Sequence, residues 1–349
     1  MMARALELAG KGLYTTTPNP RVGCVLVQGE AVVGEGWHER AGGPHAEVTA
    51  IEKAGSRAAA ATMYVNLEPC GHQGRTPPCI DLIQKNKISR VIAAMRDPNP
   101  QAAHGGARLA AAGISFAHGL MEAEAKELNI GFVSRMTRNR PWVRVKIAAT
   151  LDGRTALGAG PNAGKSQWIT GPQARKDGHR WRARACAILT GIGTVKADDP
   201  RLTVRDVETP RQPLRVVVDS RLEISAKARV LDGGGTLVFC AADSGKKLDA
   251  EIQKLSNPHG KVDLPRMLEE LARRGVNELH VEAGLRLNGS LLREGCVDEF
   301  LIYLNPSLLG DEAQSMISIP GFSSLDQRIK LKIKSMDRVG DDIRILARL

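Results

Sequence analysis

The sequence predicts an α/β protein of two successive domains, and three observations carry that prediction. Its 349 residues correspond, at roughly 150 residues per domain, to about two domains with a core each. Strand-like alternation and helix-period segments succeed one another along the chain. The polar stretch Arg138-Asn139-Arg140-Pro141 breaks that succession before a new alternating strand from Trp142. The boundary is therefore set between residues 1–139 and 140–349.

Each element follows from local pattern. Residues 1–9 carry an acid, Glu7, inside an amphipathic repeat and no uninterrupted apolar run, so they read as a first helix and not a leader, and a cytoplasmic protein is expected. Residues 22–27 and 31–37 read as a hairpin turning at Gln28-Gly29-Glu30. A helical pattern covers 45–54, followed by a strand at 63–67, a helix at 78–86, a strand at 90–95, a helix at 104–112, a strand at 114–116 and one long helix over 121–136. Strand alternating with helix in this way predicts a three-layer sandwich. In the second half strands are predicted at 142–147, 187–189, 214–218, 236–239, 279–281 and 300–304, with helices between most of them, and no internal repeat is visible.

Composition excludes several classes. Hydrophobic residues at 42% and charged residues at 25% are ordinary for globular proteins, and no apolar run approaches the roughly 20 residues of a membrane span. The net charge is +11, of which +3 falls in residues 1–139 (15 basic, 12 acidic) and +8 in residues 140–349 (34 basic, 26 acidic). Such an excess suits phosphate-bearing ligands. Aromatics at 3% are too few for base-stacking platforms, so small phosphorylated molecules fit better than nucleic acid. The basic run 175–184 sends its side chains to several faces of one helix and reads as solvated surface. Six cysteines in so long a chain do not make a disulfide framework.

One cluster points to metal chemistry. Pro44-His45-Ala46-Glu47 opens a predicted helix, Glu68-Pro69-Cys70 ends a strand, and Cys79 opens the next helix. A catalytic zinc takes three protein ligands and leaves a fourth position open. His45, Cys70 and Cys79 supply that set, at helix tips that favour thiolates, and Glu47 is left for proton transfer. H-x-E followed by P-C and a second Cys is the pattern of zinc deaminases, in which the ion activates water for attack on an amino-bearing ring carbon. Here eight residues separate the two cysteines where the general motif has two. Cys24, Cys186, Cys240 and Cys296 read as packing.

That longer loop, Gly71-His72-Gln73-Gly74-Arg75-Thr76-Pro77-Pro78, together with Thr17-Pro18-Asn19-Pro20-Arg21-Val22-Gly23, resembles the bifunctional deaminase/reductases of riboflavin biosynthesis, the RibD family. The resemblance extends over nearly the whole chain. It implies a cytidine-deaminase-like three-layer sandwich followed by a dihydrofolate-reductase-like α/β domain. In the first domain it implies substrate contacts from Asn19, His72 and Arg75, where an amide can pair with a pyrimidine edge and a guanidinium with phosphate.

The second half contains a decoy. Residues 159–166, Ala-Gly-Pro-Asn-Ala-Gly-Lys-Ser, satisfy a loose Walker pattern, but the required strand directly before and helix directly after are not predicted. The family's reductase half is the better match, carried by residues 146–155, 166–171 and 190–205. The resemblance implies an NADPH site formed by Ala148, Trp168, Thr194, Asp198, Ser220 and the turn Gly284-Leu285-Arg286-Leu287-Asn288-Gly289-Ser290. It implies substrate contacts from Ser166, Arg182, Leu202, Arg205 and Glu282. The turn after the strand at 279–281 opens a short helix, a position where backbone amides receive pyrophosphate. Arg182 and Arg205 suit a ribose phosphate, Arg221 a 2′-phosphate, and Lys146 is the candidate proton donor.

The sequence thus predicts an enzyme with two activities on one phosphoribosylated pyrimidine. Zinc-dependent deamination to a uracil comes first, and NADPH-dependent reduction of the ribosyl to a ribityl chain follows. No nucleic-acid or membrane partner is expected, and a homo-oligomer is. Two rivals stay open on sequence alone, a nucleic-acid base deaminase and a deaminase whose reductase half is silent.

Overall fold

Short β-rich segments, many of them buried along their whole length, build two large sheets flanked by helices. The computed structural model describes the chain except residues 73–76, 103, 159–166 and 243–244, and it divides into two units, Met1–Arg140 and Pro141–Leu349.

In the first unit the strands are β1 (Gly23–Gln28), β2 (Ala31–Trp37), β3 (Thr62–Leu67), β4 (Arg90–Met95) and β5 (Ser115–His118), in the order β2-β1-β3-β4-β5. β2, β1 and β3 run antiparallel to one another, whereas β3, β4 and β5 are parallel. The helices are α1 (Met2–Gly10), α2 (Ala46–Ala54), α3 (Cys79–Lys85), α4 (Gly105–Ala111), α5 (Glu122–Leu128) and α6 (Ile130–Arg138). One face of the sheet packs Cys24, Leu26, Met63 and Val65 against Ala46, Ala50, Ile80 and Ile83. The other packs Val25 and Val27 against Met2, Ala5, Leu8 and Phe132. The unit is the three-layer sandwich the sequence predicts.

Close approach of α2 to β2 depends on glycine. A Cβ at Gly36 would stand 2.3 Å from the Ala46 carbonyl oxygen, so only glycine lets the helix start lie directly on the strand. The single long helix predicted over 121–136 is instead two, α5 and α6, broken at Asn129. The Asn129 carboxamide is turned to the Arg21 backbone, accepting from its N–H at 2.8 Å and donating to its carbonyl at 2.9 Å. A tertiary contact thereby overrides local helix periodicity.

The second unit holds a sheet of nine strands among the described residues. They are β6 (Trp142–Thr150), β8 (Ala187–Gly191), β9 (Leu214–Val218), β10 (Thr236–Cys240), β11 (Glu251–Lys254), β12 (Glu278–Val281), β13 (Glu299–Asn305), β15 (Lys332–Val339) and β16 (Asp342–Arg348). β7 (Arg154–Ala156) and β14 (Gln314–Ser315) form a separate pair. The order is β11-β10-β9-β8-β12-β6-β13-β16-β15, parallel from β11 to β13 and antiparallel at β16 and β15. Helices α7 (Pro172–Arg184), α8 (Ile192–Asp198), α9 (Leu264–Arg273) and α10 (Leu285–Arg293) connect or flank these strands. The main core joins Val143, Val145 and Ile147 of β6 with Leu279 and Val281 of β12 and Met267, Leu268 and Leu271 of α9.

The opposite face carries charged residues of β6 and β12 beside the apolar Leu301 and Tyr303 of β13. Arg144 is sealed there with Glu278 and Glu299, at 3.2 and 2.5 Å, beneath the Trp181 ring. The last two strands, β15 and β16, escape the sequence reading. β15 is a largely exposed edge whose side chains lack a buried apolar alternation, so no period-2 signal marks it.

Candidate active sites

In the first unit, β2 and the loop before α2 deliver His45 as the N-cap of α2, in extended conformation, with Glu47 in the first turn. The end of β3 leads through Glu68 and Pro69 to Cys70, and Cys79 is the first residue of α3. Glu68 is buried and holds this corner. Its carboxylate accepts from Gly106 N–H at 2.7 Å and Asp97 N–H at 3.1 Å. His45 Nδ1 lies 3.2 Å from Cys79 Sγ and 3.7 Å from Cys70 Sγ, and the three donor atoms all lie within 4.8 Å of one another. Tetrahedral zinc with usual bond lengths separates its ligand atoms by about 3.6 Å for S and N and about 3.8 Å for S and S. The donor set therefore fits the ion in both chemistry and spacing. Among the described residues, His72 is outside this set, and its Nδ1 is buried without a hydrogen-bond partner.

Electrostatics mark the same spot. A hydrogen bond from Cys79, joined by His45, draws the Cys70 thiol down to about 4, while Cys79 is held well above the ordinary thiol range by its bond to Cys70 and by burial. The hydrogen bond to Cys70 raises His45. Burial raises the Glu47 carboxyl, whose residue is 4% exposed.

Two residues that sequence reasoning missed complete the pocket. His38 is buried, its Nδ1 2.9 Å from the Pro44 carbonyl and its Nε2 3.0 Å from Asn19 Nδ2, with its ring edge-on to His45. Nδ1–H donates to the Pro44 carbonyl, so Nε2 accepts from the Asn19 amide nitrogen and the Asn19 side-chain oxygen is left for other partners. Asp97, just past β4, has its carboxyl pushed up to about 7, mainly by burial. No spacing rule announces either residue, since both reach the pocket through tertiary contact. Arg75 lies outside the described residues.

In the second unit, Lys146 and Ala148 of β6 share one sheet face with Glu282, just beyond β12. Arg182 of α7 grips Glu282 with Nε to Oε1 at 2.5 Å and Nη2 to Oε2 at 2.7 Å, and its Nη1 donates to the Thr203 carbonyl at 2.9 Å. His280 Nε2 lies 3.3 Å from the same carboxylate. Burial alone would raise Glu282, yet Arg182 outweighs it and holds the carboxyl well below its ordinary value. Burial lowers the Lys146 ammonium. Arg182 was expected to face a phosphate, but the structure gives its guanidinium an internal carboxylate.

The remaining predicted positions fall into two groups. Thr194 lies beside Gly284, where a Cβ would meet its Oγ1 at 3.7 Å, and Gly284 caps α10 with Arg286 exposed in its first turn. Ser220 lines a cavity of about 130 Å³ together with Ile192, Val218, Arg221, Glu223 and Lys261. Trp168 is 75% exposed beneath the Arg175 guanidinium, Asp198 is exposed at the end of α8, and Arg205 is exposed. The Leu202 side chain, in contrast, is sealed in a core with Ile188 and Val217. Leu287 packs against the main core. The Asn288 amide donates to the Ala283 and Met316 carbonyls. A Cβ at Gly289 would stand 1.9 Å from Ser318 O, and Ser290 Oγ accepts from Arg293. The open part of the 284–290 run is thus its first three residues. Arg221 is paired with Glu223 at 2.5 Å. Ser166 and the Walker-like segment lie outside the described residues, and Cys24, Cys186, Cys240 and Cys296 are buried.

A sandwich with a His/Cys/Cys pocket, joined to an α/β unit with a clamped carboxylate beside a half-buried lysine, defines a deaminase coupled to a second enzyme. Residues 1–95 match the cytidine and deoxycytidylate deaminase zinc-binding region, and residues 141–345 match the RibD C-terminal domain. The chain is 45% identical to the riboflavin biosynthesis protein RibD of Escherichia coli, over 98% of this chain and 96% of the relative. Its identity to the RibD of Bacillus amyloliquefaciens is 41%, over 99% and 95%. Among solved structures, Acinetobacter baumannii RibD superposes with TM-score 0.92 at 39% identity, over 99% of this chain and 97% of that one. A deaminase/reductase from Thermotoga maritima gives 0.89 at 33%, over 99% and 97%. The chain belongs to the RibD family of bifunctional deaminase/reductases of riboflavin biosynthesis. Among the described residues no helix is long and apolar enough to cross a membrane.

Proposed function

We propose that the first unit holds one zinc ion on His45, Cys70 and Cys79 and deaminates 2,5-diamino-6-(5-phosphoribosylamino)pyrimidin-4(3H)-one. The second unit then uses NADPH to reduce the ribosyl chain of the resulting uracil. The observation that carries this reading is the convergence of the three donor atoms within 4.8 Å beside a buried Glu47.

When bound, the ion supplies Lewis acidity that makes water nucleophilic at neutral pH. Glu47 would accept one proton of the attacking water and return it to the departing amine, so that ammonia leaves while the second water proton ends on the adjacent ring nitrogen and a carbonyl remains. Asn19, with its oxygen free and its nitrogen anchored on His38, orients the pyrimidine edge. His72, with an unpartnered buried nitrogen, is a further contact.

NADPH, when bound, supplies the hydride for C1 of the opened ribose. Lys146 provides the proton that accompanies reduction of the carbon–nitrogen double bond, and the partial desolvation that lowers its affinity for that proton makes it a better acid. Glu282, immobilised by Arg182, orients the sugar hydroxyls. Thr194, Ser220 and the open tip Gly284-Leu285-Arg286 line the cofactor, and the exposed Arg221 would exchange its pairing with Glu223 for a 2′-phosphate.

Elemental analysis of purified variants tests the metal reading. His45→Ala, Cys70→Ser and Cys79→Ser should each lose both zinc and deamination. Zinc retained at full occupancy in all three would refute it.

A further inference from the structure

Lys146 sits on β6 with Glu282, just beyond β12, on one side and Leu301 of β13 on the other. The residue is half-buried, yet among the described residues its ammonium makes no hydrogen bond and has no carboxylate within ion-pair distance. Glu282 acts on it electrostatically but is taken up by the two bonds from Arg182. What the charge does meet is an aromatic face. Lys146 Nζ stands 5.9 Å from the centre of the Tyr303 ring.

Tyr303 pairs with Ala148 in the register of β13 on β6, so its ring shares the sheet face of Lys146. It is 1% exposed and packs among Ala174, Trp181, Leu301, Val339 and Leu346. The ring is pinned at its far end as well. Its hydroxyl donates to Asp177 Oδ2 at 2.7 Å, and the same oxygen accepts from Arg344 Nη1 at 2.9 Å. Arg344 Nη2 donates in turn to Asp337 at 2.7 Å, and Arg180 stands 3.8 Å from the other Asp177 oxygen. Three elements, α7, β15 and β16, thus hold one phenol in place.

This anchoring keeps Tyr303 out of the proton transfer itself. Its hydroxyl proton is committed to Asp177, and burial together with that carboxylate holds the phenol well above its ordinary range, so it is no donor to a substrate. The ring face is what it offers. A π face attracts an ammonium within about 6 Å of its centroid and leaves the three N–H groups available to a substrate. A carboxylate in the same place would hold the proton more tightly and make a poorer acid. We propose that Tyr303 is a positioning residue of the reductase. Its ring, fixed by Asp177, steadies the Lys146 ammonium in its charged form beside Glu282 and leaves its protons free for the substrate nitrogen. The role rests on the reading of Lys146 as proton donor.

The groups that act on Lys146 are Glu282 beyond β12, Arg182 on α7 and the Tyr303 ring on β13, with His280 against Glu282 and Asp177 against the phenol hydroxyl. A general acid is lost as pH rises through its pKa, and the ring favours the charged form. Weakening the ring therefore moves the alkaline limb of kcat to lower pH. The test is steady-state reduction of supplied phosphoribosylaminouracil by the full-length protein, from neutral to alkaline pH, in Tyr303→Phe and Tyr303→trifluorophenylalanine. Both variants lose the bond to Asp177 equally and keep the ring's shape, so a difference between them reports its π charge alone. The limb is expected about half a pH unit lower in the fluorinated variant than in Tyr303→Phe, with KM in the two agreeing within about twofold. Coincident limbs overturn the proposal. In the parent itself the Lys146 Hε resonances, assigned by their loss in Lys146→Met, should lie upfield of those of other lysines because of the ring. Resonances without that displacement overturn the proposal whether or not the variants fold. Lys146→Met that still reduces the substrate at more than about a tenth of the parental rate would overturn the proton-donor reading and the proposal with it. An inactive Lys146→Met with coincident limbs overturns the proposal alone.

Discussion

Glu47 is sealed from water in the first turn of α2, next to three side chains that converge on a single point. Glu47→Gln preserves the shape of that pocket and removes only the proton carrier. It should retain zinc while lowering the deamination rate by about 10²–10⁴-fold, read by elemental analysis alongside ammonia release. Loss of zinc in step with activity would show that Glu47 acts as a structural prop. A second residue-scale effect sits in the other unit. Burial, reinforced by Arg182, lowers His179 to about 4, and its Nδ1 accepts from Arg205 N–H at 3.2 Å. A histidine with a folded pKa below its unfolded value near 6.5 contributes stability that is complete above that pH and is lost as pH falls toward 4, because the unfolded chain takes the proton first. The fall should reach up to about 3 kcal/mol, and His179→Gln should flatten it in thermal melts run from pH 7 to pH 4. Equal slopes in parent and variant would assign the acid sensitivity elsewhere.

At the scale of elements, the metal pocket depends on how closely α2 lies on β2. Gly36→Ala places a methyl against the Ala46 carbonyl, one residue from His45. The variant should be destabilised by about 1–3 kcal/mol and should bind zinc more weakly, measured by denaturant melts and chelator competition. Gly10→Ala, with open space around it, should do neither. This dependence also explains what the sequence could convey. The order of elements in the first unit was legible because period-2 and helical patterns coincide with real burial, and β4 and β9 match their predicted limits. The break at Asn129 was not legible, since nothing nearby in sequence tells that its amide is tied to Arg21. The metal ligands were readable because each sits at a strand end or helix start with a recognisable flank. His38 and Asp97 carry no such flank, and the Arg182–Glu282 pair spans 100 residues. Both members of that pair were expected near a substrate, but their mutual contact was not foreseeable from spacing.

At the scale of the whole molecule, the two units have separate cores and separate groups of reactive side chains. Their activities should therefore respond to different insults. Chelation of zinc should abolish deamination and leave reduction of the supplied phosphoribosylaminouracil intact, whereas Lys146→Met should do the reverse. Concerted loss of both activities under chelation would tie the reductase to the metal. The central claim, two successive reactions on one substrate, is tested most directly by mass spectrometry of products. Zinc-loaded protein is incubated with freshly generated diamino-phosphoribosylaminopyrimidine, with and without NADPH. The account predicts exchange of an amine for oxygen in both samples and the gain of two hydrogens only with NADPH. Exchange without the further two hydrogens, or no exchange at all, would contradict it.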